Sequence, residues 1–151
     1  MRMVAFDLEG SGAQDREAEA ILEIAAVSLT HHRRPDLADA FTSLINPGRR
    51  VPMRPWISLG ITNELLAQAP ARGDVACELG RRMDGAYLIG HNIFIDWRLL
   101  HRHLLEITPV GLIDTLPLAR AVWPGEKNSL TAAAQRSLEF SILFCVMTVC
   151  C

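Results

Sequence analysis

The stretch Met3-Val4-Ala5-Phe6-Asp7-Leu8-Glu9-Gly10-Ser11-Gly12 constrains the fold more than any other. It is a short apolar run that ends between glycines, the pattern of a buried strand entering a turn. Side chains alternate along a strand, so Val4, Phe6 and Leu8 share one face and Asp7 and Glu9 the other. Two carboxylates held that close repel and raise each other's pKa unless a cation lies between them. Hard oxygen ligands at the end of a central strand suit Mg²⁺ or Mn²⁺. A solvated acidic turn after a core strand is the plainer alternative, and this stretch alone leaves both open.

The segments that follow supply the strand with neighbours. Ile21–Leu29 reads as a second strand and Phe41–Ile45 as a third, closed by Asn46-Pro47-Gly48. The short connections make these three an antiparallel meander. Beyond a proline-rich stretch, Thr62 is placed to cap a short helix and Asp74 another, with Val75, Leu79 and Met83 along one side. Tyr87–His91 is a short apolar strand. Phe94–Leu105 has helical spacing, with Phe94, Trp97, Leu100, Leu104 and Leu105 on its apolar side. Leu112-Ile113 is a brief strand, Asp114 or Thr115 caps a helix through Val122, and Ser129 caps a last one, Leu130 to Arg136. A meander followed by alternating helix and strand implies an α/β mixed sheet with helices on its faces.

A chain of 151 residues, 50% hydrophobic and 21% charged, is long enough and apolar enough for one globular domain. Its formal net charge of -2 gives no global attraction to nucleic acid. The four cysteines (Cys77, Cys145, Cys150 and Cys151) form neither a spaced metal pattern nor a disulfide framework. With no leader or spanning segment visible, a reducing cytoplasmic setting without membrane contact is the expectation.

The second acidic element is His91-Asn92-Ile93-Phe94-Ile95-Asp96. His91 and Asn92 lie in a turn after the fourth strand, and Asp96 falls in the first turn of the next helix. From there it can favour the helix dipole or reach a metal at the end of a neighbouring strand. In order, Phe6-Asp7-Leu8-Glu9-x-x-Gly12, Gly60-Ile61-Thr62, His91-Asn92-x-x-x-Asp96, Asp114-Thr115-Leu116-x-Leu118-Ala119-Arg120 and Asn128-Ser129-Leu130 resemble the DnaQ-like (DEDD) 3′–5′ exonucleases. The resemblance covers about residue 3 to residue 136. It implies a ribonuclease H-like fold, with parallel strands following the meander and helices on both faces. It implies that Asp7, Glu9 and Asp96 are the catalytic residues and bind two divalent ions, Mg²⁺ or Mn²⁺. The substrate is then a single-stranded DNA or RNA 3′ end, and a polymerase or repair protein the expected partner. Gly10, Ser11 and Gly12 would let the terminal nucleotide approach the backbone, with His91 and Asn92 beside it. Phe94 or Trp97 could also lie near a base, although core packing is the first expectation for each.

The resemblance breaks at the C-terminus. The family carries a third motif, a His general base followed five residues later by an Asp ligand. Residues 137–151 contain neither. The sequence divides into an incomplete exonuclease-like domain, 1–136, and an off-pattern apolar tail, 137–151, and the end reads as replaced. Smaller departures are Gly10 where Thr or Ser is usual, Leu59 where a His often stands, and Ile95 where Phe does. Two functions follow as expectations. One is a metal-dependent 3′–5′ exonuclease impaired by its missing base. The other is a non-catalytic nucleic-acid-binding or interaction module on the same fold.

Overall fold

The computed structural model describes residues 1–12, 18–30, 34–53, 57 and 60–136. The described residues form a five-stranded mixed sheet in the order β3-β2-β1-β4-β5. β1 (Met3–Gly10), β2 (Ile21–Leu29) and β3 (Phe41–Leu44) are the antiparallel meander. β4 (Tyr87–Gly90) lies parallel to β1 on its other side, and β5 (Gly111–Asp114) is parallel to β4. The helices are α1 (Asn63–Gln68), α2 (Arg72–Met83), α3 (Ile93–His103), α4 (Thr115–Val122) and α5 (Leu130–Arg136). The apolar tail lies outside the described residues.

Alternation along β1 divides the core in two. Val4, Phe6 and Leu8 pack with Ile24 and Ala26 of β2, with Val75, Leu79 and Met83 of α2, and with Leu99 and Leu100 of α3. Met3 and Ala5 turn the other way and pack with Val27, Leu29 and Ile89, against which Leu130 of α5 is laid. Helices therefore cover both faces, and the strand bearing the acidic pair is central.

Local chemistry explains the helix starts. The Thr62 hydroxyl accepts from Leu65 N at 3.3 Å and begins α1. Asp114 caps α4, accepting from Leu116 N at 2.9 Å, and Ser129 accepts from Ala132 N at 3.4 Å at the start of α5. Asp74 is a correction. α2 begins a turn earlier, with Ala71 as its N-cap, and the Asp74 carboxylate reaches back to accept from Ala71 N at 3.0 Å. An acid at the third helical position satisfies a free N–H as well as a cap residue does. The apolar side of α3 is a second correction. Its buried residues are Ile93, Leu99 and Leu100, while Phe94 is 61% exposed and Leu105, past the helix end, is exposed too. Ile93 opens the helix and takes the inward position, which turns Phe94 about 100° away from the core. Trp97 stays half-buried against the core and stacks on His101 with ring centroids 4.9 Å apart.

Candidate active site

Asp7 and Glu9 occupy the C-terminal end of β1, on the face opposite Phe6 and Leu8. The antiparallel register sets Glu23 of β2 directly across from Glu9. Residues opposite each other in an antiparallel pair lie on the same face, so the two strands together present three acids. Glu23 is not on an edge strand, because β2 sits between β3 and β1. Its carboxyl is pushed up from the usual range by burial and then by the charges of Glu9 and Asp7.

The fourth acid comes from the neighbouring strand. β4 pairs with β1 through Ala5↔Ile89 and ends at Gly90, where the chain turns into α3. That turn needs a left-handed residue. Asn92 takes it at φ 65°, the one non-glycine residue with positive φ among the described residues. Asn enters this region more readily than most side chains. Asn92 N donates to Asp114 Oδ1 at 2.8 Å, so the acid that caps α4 also fixes the start of α3. Asp96 then lies in the first turn of α3. Its carboxyl is pushed up to about 8, first by burial and then by the charges of Asp7, Glu9 and Asp114. This mutual repulsion places Asp7, Glu9 and Asp96 within electrostatic reach of one another. As they stand, no three His, Cys, Asp or Glu side chains among the described residues form a group able to hold a metal ion. The donor set nevertheless fits a hard divalent cation in kind: it is all carboxylate oxygen, and it carries a repulsion that a cation relieves.

The remaining sequence-predicted residues build the frame. Ser11 is 2% exposed; its hydroxyl accepts from Ala20 N at 3.0 Å and its N–H donates to Ala20 O at 2.9 Å, which closes the base of the loop after β1. Gly12 takes a left-handed φ of 57° beside it. Gly10 is needed for packing, since a Cβ there would lie 3.0 Å from Leu99 Cδ2. Gly10→Ala should therefore lower stability by about 1–3 kcal/mol through overpacking, and urea unfolding measures it; an unchanged midpoint would show that Leu99 moves aside freely. His91 is held at both ring nitrogens. Nε2 donates to Asn128 O at 2.8 Å and Nδ1 lies 3.0 Å from Thr115 Oγ1, which ties the end of β4 to α4 and to the segment before α5.

Thr115 and Asn128 as partners of His91 were beyond sequence reasoning, although both stand inside the motif pieces that carried the resemblance. The ion pair Arg98 NH2–Glu19 Oε2, at 2.8 Å, was missed as well. It joins α3 to the chain entering β2. Nothing in helical spacing reveals a partner so distant in sequence.

The family model described as Exonuclease (RNase T) matches residues 4–141. The chain is 30% identical over 128 residues to the 3′-5′ exonuclease DinG of Bacillus subtilis (strain 168), covering 82% of this chain and 13% of that protein. It is 30% identical over 144 residues to the DNA polymerase III subunit epsilon of Rickettsia conorii, covering 90% of this chain and 62% of that one. Among solved structures it resembles the zinc-bound form of an E. coli Exonuclease I–ssDNA complex, with a TM-score of 0.74 at 14% identity, covering 98% of this chain and 38% of that one. That likeness is one of fold. The chain thus spans less than two thirds of the relatives it matches.

Proposed function

The chain belongs to the RNase T exonuclease family, and from that premise we propose that it is a metal-dependent 3′–5′ exonuclease. Its substrate is the 3′ end of single-stranded DNA or RNA. The observation that carries the reading is the raised carboxyl of Asp96 on α3, pushed up first by burial and then by the charges of Asp7 and Glu9 on β1. Acids gathered at the cost of mutual repulsion mark a functional site more often than a structural one.

Exonucleases of this family generally use divalent ions. Here Asp7, Glu9 and Asp96 would hold Mg²⁺ or Mn²⁺, whose chemistry is to acidify the attacking water and to stabilise charge on the phosphodiester. The chain's own contribution is position. β1 fixes Asp7 and Glu9, the Asn92 turn starts α3 so that Asp96 lies within reach of their charges, and His91 and Ser11 hold the flanking turns. Gly10, Gly12 and Asn92 stand where a terminal nucleotide approaches. Residues 137–151 provide no His to take the water's proton and no further Asp, so we propose that the chain as written is slow. A polymerase or repair protein as partner, and a cytoplasmic setting, belong to the same proposal. The described residues include no helix long and apolar enough to cross a membrane.

Titration with Mn²⁺ followed by calorimetry tests the site. We expect saturable binding that Asp7→Ala weakens by at least tenfold, with the melting curve of metal-free protein retained. Equal binding by the variant would place the ion elsewhere. A non-catalytic nucleic-acid-binding module is the second reading, favoured by the missing third motif. It predicts strand binding without cleavage even when Mn²⁺ is bound.

A further inference from the structure

Two hydrogen bonds tie α3 to a single residue outside it, Glu19. Arg98 NH2 donates to Glu19 Oε2 at 2.8 Å, and His103 Nε2 donates to Glu19 O at 2.9 Å. His103 Nδ1 lies 2.8 Å from Arg72 NH1 on α2. A guanidinium only donates and a carbonyl only accepts, so the ring carries its hydrogen on Nε2 and accepts at Nδ1. Glu19 is in turn bound to the end of the strand that bears the acidic pair. The next residue, Ala20, exchanges two hydrogen bonds with Ser11: Ala20 N donates to Ser11 Oγ at 3.0 Å, and Ser11 N donates to Ala20 O at 2.9 Å. The Glu19 carboxylate also reaches over Gly10, the neighbour of Glu9. A Cβ at Gly10 would lie 3.5 Å from Glu19 Oε1 and 3.0 Å from Leu99 Cδ2.

Stability is a poor account of the ion pair. The Glu19 side chain is 13% exposed and that of Arg98 36%. Arg98 NH1 is buried and, among the described residues, has no hydrogen-bond partner. Removing two charges from water offsets much of their attraction, and an orphaned N–H adds a further cost. What a two-point attachment does supply is direction. Arg98 and His103 are five residues apart, about 7.5 Å along the helix axis. A helix held at two such points, with Leu99 packed over Gly10 between them, resists both sliding and pivoting. Asp96 stands two residues before Arg98 on that helix, so any shift of α3 moves it relative to β1.

We infer that Glu19 is a positioning residue for the acidic centre: through Arg98 and His103 it sets the place of Asp96 on α3 relative to Asp7 and Glu9 on β1. The inference rests on the metal-site reading for what is positioned, and it assigns Glu19 no contact with an ion.

The test is calorimetric titration with Mn²⁺, with melting in EDTA as the check of folding. Glu19→Leu combined with Arg98→Met replaces the pair by apolar side chains of similar size and leaves the net charge unchanged. Such exchanges tend to leave stability equal or to raise it. The melting midpoint should therefore hold, while Mn²⁺ affinity falls about tenfold. Arg98→Gln separates position from charge. Loss of a nearby positive charge by itself tightens cation binding, whereas a displaced α3 loosens it, and weaker binding is expected. Arg102→Gln, exposed one turn further along α3, should change neither affinity nor melting. Full Mn²⁺ affinity in the folded double variant, or tighter binding by Arg98→Gln, overturns the inference and leaves the metal-site reading standing. If the double variant does not fold, Arg98→Gln decides: weaker binding supports the inference, and equal or tighter binding overturns it. A wild type that binds no Mn²⁺ overturns the metal-site reading and the inference with it.

Discussion

A family-type closing helix, with a His and an Asp five residues later, placed after Arg136 in exchange for residues 137–151, is expected to raise trimming of a 3′-labelled single strand by about 10²–10⁴-fold. The physical reason is the proton. On the proposed reading Asp7, Glu9 and Asp96 would hold the cations, whose chemistry is to acidify the attacking water, and a separate group must still accept that water's proton. A His on a closing helix supplies the acceptor, and its companion Asp adds a fourth carboxylate. The measurement is a gel assay of three proteins: the chain as written, the graft, and the graft with Asp7→Ala. Melting curves confirm that each is folded. Strong activity in the unmodified chain, abolished by Asp7→Ala, would show that another group takes the proton; Glu23, opposite Glu9, is the first to substitute. A folded graft that stays inactive would favour the binding module.

Asp96→Asn is expected to stabilise the metal-free protein at pH 8 and to lose that advantage near pH 4. The folded carboxyl titrates at about 8 against an ordinary value of 3.8. Between these values the folded state holds a proton that the unfolded state has released. The group's favourable contribution is therefore complete below about pH 4 and is lost as pH rises through about 8. A tenfold difference in proton affinity between the two states corresponds to about 1.4 kcal/mol, so the full swing is several kcal/mol. Asparagine keeps the shape and cannot ionise. Melting in EDTA from pH 4 to pH 8.5 should show wild type falling away from the variant, and Mn²⁺ at pH 8 should restore wild type alone. Parallel curves would mean that neither burial nor the neighbouring charges raise the Asp96 carboxyl.

Strand alternation made β1 and its division into a core face and an acidic face readable from sequence, and β2 runs over Ile21–Leu29 as expected. Capping chemistry located α1, α4 and α5. It failed by one turn at α2, because the third helical position offers an acid the same bond as the cap. It could not orient α3, because Ile93 and Phe94 are both apolar and only packing decides which turns inward. Asp7, Glu9 and Asp96 were legible as acids at strand and helix ends. The roles of Ser11 and His91 were not. Both are held by partners fixed by the fold, Ala20 across a loop and Asn128 across three elements, and no local pattern specifies either.

The strand order has a consequence of its own. From β1 the chain leaves leftward through β2 and β3 and returns to the right at β4, so β1 and β4 send their continuations to opposite sides. Adjacent parallel strands arranged this way form a topological switch point, and a crevice opens outside their carboxyl ends. The connections that leave β1 toward β2 and β4 toward β5 lead away from it on either side. The acidic residues stand at the rim of that crevice by topology and not by local sequence preference. The opening is a property of the winding, so exchanging Asp7 or Glu9 alters what enters it while the opening itself remains.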